Sequence, residues 1–95
     1  MFVIVLDYLA PLPVVDQHLA AHRAHLAEQY AAGKFVVSGP QVPRSGGVIV
    51  ARCGDRAEVD AIMQCDPFIR AGVASYRVIE FVARAACAPL AEWVE

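Results

Sequence analysis

Residues 34–53 read KFVVSGPQVPRSGGVIVARC, and this stretch decides the fold. Lys34 to Ser38 (KFVVS) is a β-branched, aromatic run closed by Gly39-Pro40, and Gly47 to Cys53 (GVIVARC) is a second run of the same kind. Gln41 to Gly46 is polar, with Pro43 and glycines, and reads as a loop. Two strands therefore follow one another directly. On their N-terminal side, Val14 to Ala32 has no Gly or Pro and is rich in Ala, Leu, Gln and Glu, which predicts a helix ended by Gly33. On their C-terminal side, Gly54-Asp55 makes a turn, and Asp55 caps a helix running to about Gln64. Asp66-Pro67 breaks that helix, and Pro67 to Gly72 is a short connector. The outermost runs are strands: Phe2 to Tyr8, stopped by Pro11 and Pro13 before Asp16 or a neighbour opens the first helix, and Ser75 to Val82.

The order is β-α-β-β-α-β, the ferredoxin-like α+β arrangement of one antiparallel sheet with two helices on one face. The other sheet face has no cover within the chain, and an apolar sheet face must be buried against something. A second copy of the sheet is the simplest cover. Composition argues the same way: 58% of the 95 residues are hydrophobic and 19% charged, more apolar side chain than so small a domain can hide. Much of that fraction is alanine, which is nearly neutral on a surface. The expectation is a homodimer, with further assembly open.

The charge pattern excludes some classes. Net charge is −2, and the Lys and Arg residues are scattered, against the clustered cations that nucleic acid requires. No apolar run reaches the about 20 residues of a membrane span, and MFVIVLDY lacks the flanks of a signal peptide. Cys53, Cys65 and Cys87 form no CxxC and are odd in number, so they read as buried or half-buried free thiols in a reducing cytoplasm. There is no GxGxxG, P-loop or GxSxG, so no nucleotide cofactor is expected and Ser38 is no nucleophile elbow.

At 100° per residue, Val15, Leu19, Leu26 and Tyr30 share the core-facing stripe of the first helix, and His22 falls within it; His18, His25 and Gln29 lie on its shoulder. A core-facing histidine needs a partner, because an unsatisfied buried polar group costs about 1–3 kcal/mol. A backbone carbonyl would make it structural; a carboxylate would make it informative. Asp66 is placed to supply one, since both helices pack side by side, although Asp-Pro is also an ordinary helix stop. The HxxxHxxH spacing of His18, His22 and His25 suits an ion, but no further ligand completes the set, and no metal is expected. Ser38, Gly39 and Pro40 can form a tight turn facing a ligand, with Arg44 and Ser45-Gly46-Gly47 as a flap.

His22 followed by LAEQYAAGKFVVSGP, then GG, then DPFIRAGV before SYRVIEFV, resembles the YciI-like family over residues 1–83. The resemblance implies a dimeric α/β barrel and a histidine–aspartate pair that falls here on His22 and Asp66. It places Ser38, Gly39 and Pro40 at the ligand, with Arg23 beside the histidine and Phe68 in the DPF motif. Residues 84–95 form a tail outside it. The expected function is a cofactor-free enzyme, working as a homodimer, that shifts protons on a small cyclic or aromatic acid by isomerisation or elimination. His22 is the acid/base and Asp66 its orienter; among side chains only His has an ordinary pKa, about 6.5, suited to that task at neutral pH. The competing reading is a non-catalytic metabolite-binding or protein-interaction module.

Overall fold

The apolar run at the N-terminus becomes one of the two inner strands of the sheet. In the computed structural model, which describes residues 1–95, β1 (Phe2–Tyr8) leads through α1 (Leu12–Asp16) and α2 (Leu19–Ala31) to β2 (Phe35–Pro40) and β3 (Gly46–Ala51). The chain continues through α3 (Arg56–Gln64) and α4 (Pro67–Arg70) to β4 (Ala74–Glu80) and a closing 3-10 turn, Ala88–Trp93. The sheet order is β2-β3-β1-β4. β3 is antiparallel to both β1 and β2, so β1 and β2 run parallel with β3 between them, which is the split βαβ topology. No helix is long and apolar enough to cross a membrane.

Register sorts the side chains. Phe2 lies opposite Ala51, Ile4 opposite Ile49 and Leu6 opposite Gly47; this row faces the helices. Phe2, Ile4, Leu6, Ile49 and Ala51 form the core with Val15, Val59, Met63 and Phe68. The opposite row pairs Val3 with Val50 and Val5 with Val48, flanked by Val37 and Ile79, which are exposed. A period-2 strand between two such rows gives one sealed face and one valine-rich face that no helix of the chain covers.

Helix ends follow their caps. Asp55 accepts the Glu58 amide at 2.9 Å and starts α3. Gly33 takes φ +74°, the left-handed conformation that ends α2. Four expectations need correction. The single helix over Val14 to Ala32 is two: His18, at φ −107° and ψ 2°, interrupts it. Asp16 does not open a helix but closes α1, which starts after Pro11 with Pro13 in its first turn, where a missing N–H costs nothing. Tyr30, placed on the core stripe, is exposed, and His25, placed on the shoulder, is buried. Cys65 and Cys87 are exposed; only Cys53 is half-buried, and all three thiols are free.

The loop between β2 and β3 is clamped to β1. Gln41 Nε2 donates to the Leu6 carbonyl at 2.9 Å, and the Tyr8 amide donates to the Ser45 carbonyl at 2.9 Å. Gly46 is pressed so closely that a Cβ there would lie 1.8 Å from the Leu6 oxygen. Gly46→Ala must therefore displace backbone, and we expect it to lower unfolding free energy by about 1–3 kcal/mol or more in a urea titration. A midpoint equal to that of the native protein would contradict this packing.

Candidate active site

α2 presents His22 on its sheet-facing side, with Leu19 three residues before and Leu26 four after on the same face. α3 ends at Gln64, and Asp66 is the N-cap of α4, its Oδ1 accepting the Phe68 amide at 2.9 Å. The same oxygen lies 2.9 Å from His22 Nδ1. Asp66 is 0% exposed and the His22 side chain 12%, so the carboxylate stands behind the imidazole. A carboxylate only accepts hydrogen bonds, so here Nδ1–H donates and Nε2 is left without a protein partner. Asp66 Oδ2 is buried with no partner, which leaves the His22 and Phe68 contacts to offset the burial of that carboxyl. The Phe68 ring stacks on the imidazole with centroids 3.9 Å apart and planes at 10°. The DPF segment thus supplies a carboxylate to one edge of the ring and a flat apolar wall to its face.

His22 opens on a cleft of about 470 Å³ between α2 and the sheet. His22, Arg23, Ser38, Gly39, Pro40 and Phe68, all expected at the site, line it together; Asp66 does not line it and acts on it through His22 and Phe68. The SGP segment is not a tight turn: it is the end of edge strand β2, where proline is tolerated because no neighbour needs its amide. Ser38 faces inward opposite Ile49, and its Oγ is 2.5 Å from the Tyr30 hydroxyl. The sequence reading missed Tyr8, whose period-2 parity with Leu6 puts it on the cleft side of β1 and whose ring packs edge-on against Phe68.

Charge at the mouth is cationic. Arg44 lines the cleft, with its guanidinium 5.5 Å from the Tyr8 ring centroid and 2.6 Å from Asp16. That contact holds the Asp16 carboxyl below its usual range. Arg23, beside it, makes no ion pair within the chain. Elsewhere, burial and then the nearby Glu58 carboxylate hold the Cys53 thiol above its ordinary value, against thiolate formation. His25 Nε2 is buried without a partner, and its ring packs edge-on against Phe35, away from the cleft lining. No three His, Cys, Asp or Glu side chains gather to hold a metal ion.

Two residues of the buried arrangement can be separated by substitution. Asp66→Ala leaves the His22 Nδ1–H and the Phe68 amide unsatisfied, and should cost about 1–3 kcal/mol by chemical denaturation. Asp66→Asn keeps an accepting oxygen and should cost less. Equal losses for the two would show that charge, not hydrogen bonding, dominates there.

The model of the YCII-related domain matches residues 1–82. The chain belongs to this family. The matched span ends just after β4. Among solved structures, the YCII-related chain is similar to 5-chloro-2-hydroxyhydroquinone dehydrochlorinase (TftG) from Burkholderia phenoliruptrix AC1100, in complex with 2,5-dihydroxybenzoquinone. The TM-score is 0.73 at 24% identity, over 87% of this chain and 95% of that chain. At that identity the likeness shows the fold alone. No curated protein sequence matches the chain.

Proposed function

We propose that this YCII-related chain is a small-molecule enzyme in which His22 transfers a proton and Asp66 orients it. The observation that carries the reading is the His22 Nδ1–Asp66 Oδ1 hydrogen bond of 2.9 Å in a ring whose other nitrogen is free at a cleft. A fixed tautomer aims the Nε2 lone pair at whatever occupies the cleft, and the buried carboxylate stabilises the imidazolium that forms when it takes a proton. Apolar walls from Leu6, Leu19, Leu26 and Phe68, with Ser38 and two arginines, suit a small ring bearing acidic groups. Elimination from, or isomerisation of, such a ring needs one base and a place for the developing negative charge. The dehydrochlorination named for the structural neighbour is a reaction of this type on a hydroxylated ring. Ser38, Gly39, Pro40, Arg23 and Phe68 would hold the substrate.

The test is turnover of 5-chloro-2-hydroxyhydroquinone and related hydroxylated or halogenated rings, followed by chloride release and quinone absorbance. For a substrate so identified, His22→Gln should lower kcat by about 100-fold or more. Asp66→Asn should lower it less, because the hydrogen-bond geometry survives. Full turnover by His22→Gln would remove the acid/base role, and binding of these rings without turnover would favour a metabolite-binding module.

The active form in this reading is a homodimer. The valine-rich sheet face, with Val3, Val5, Val48 and Val50 at its centre and exposed Val37, Ile79 and Phe81 at its margin, is the surface a second sheet would bury. Val50→Arg puts a charge at the middle of that face. We expect sedimentation equilibrium to give a dimer for the native chain and a monomer for Val50→Arg. A native monomer, or a dimer indifferent to this change, would contradict the assignment.

A further inference from the structure

Arg44 is drawn in two directions. Its guanidinium lines the cleft and lies against the Tyr8 ring, yet its ion-pair partner, Asp16, belongs to α1 and does not line the cleft. The side chains of the pair are 32% and 46% exposed, and an ion pair so wet shifts an equilibrium by about fivefold at most. The loop base beneath Arg44 is fixed by Gln41, Ser45 and Gly46 against β1, so the guanidinium is presented from a firm support. Arg23 is the other cation of the lining, and the lining itself contains no carboxylate.

We infer that Arg44 is the residue by which the cleft selects ring ligands carrying an oxyanion, a carboxylate or phenolate, and that Asp16 is the stand-in such a ligand displaces. A planar guanidinium pairs with a ligand carboxylate through two parallel N–H···O bonds, and does so more strongly inside a cleft than with Asp16 in water. Exchange gives up a weak exposed pair for a better shielded one. The inference rests on reading the cleft as a substrate site, and it deepens that reading by naming what Arg44 and Asp16 do there.

The experiment uses two fluorescent probes of nearly the same shape: salicylate, an anion at neutral pH, and salicylamide, which lacks the carboxylate charge. Titrated into the full chain at low ionic strength, salicylate should bind more tightly than salicylamide. Arg44→Gln should reduce the salicylate affinity about tenfold and leave salicylamide unchanged, and Arg44→Lys should restore part of the preference. Asp16→Asn should raise salicylate affinity about two- to fivefold, and that gain should vanish in the Arg44→Gln background. No preference for salicylate in the native chain, a preference that survives Arg44→Gln, a loss of both probes together in that variant, or an Asp16→Asn gain independent of Arg44 would each overturn the inference. Neither probe needs to be turned over, so a failure here is distinct from a failure of the His22 acid/base role, which the turnover assay reads.

Discussion

One oxygen atom joins the two halves of the site. Asp66 Oδ1 receives the Phe68 amide and the His22 ring hydrogen, each at 2.9 Å. The first contact starts α4 and sets Phe68 against the imidazole; the second fixes how that imidazole is turned. The residues are 44 positions apart in the chain, and only the crossover of the split βαβ units, with both helical layers on one sheet face, brings them together. A buried carboxyl with one oxygen unpartnered is costly. The fold carries that cost at the place where a ring nitrogen meets a cleft.

The cleft itself is a consequence of small residues at one end of the sheet. Gly47 faces the helices opposite Leu6 and Pro40, and with no side chain there the space under α2 stays open. Toward the other end of the strands the corresponding positions carry Phe2, Ile4, Ala51 and Phe35, which close the core. His22, Ser38 and Arg44 are gathered at the open end.

Much of this was legible in the residue pattern. The β-α-β-β-α-β order, the Asp55 cap and the Gly33 stop follow from local chemistry; layer packing left Asp66 near His22 as one option beside an ordinary helix stop, and their pairing was implied by the family resemblance. The stripe on the first helix was read partly wrongly. Within α2 the ring of His25 packs against Phe35 and is buried, while Tyr30, near the end of the helix, meets Phe35 and Ser38 and stays exposed. Ser38 to Pro40 looked like a turn because Gly and Pro usually punctuate; an edge strand, with one unpaired side, admits both. The Arg44–Asp16 pair spans 28 residues and has no periodicity to betray it.

The tail returns to where the chain began. The Phe81 amide donates to the Met1 carbonyl at 3.0 Å, and the Glu95 amide to the Ala83 carbonyl at 2.8 Å. Trp93 lies under the Arg52 guanidinium, 4.9 Å from its ring centroid, and Met1 and Glu95 line one small recess. Both chain ends therefore meet at the closed end of the sheet, opposite the cleft. A circular permutant that joins them through a short linker and opens elsewhere would keep every contact of the site, and a chain tethered to a surface by either end would present its cleft outward.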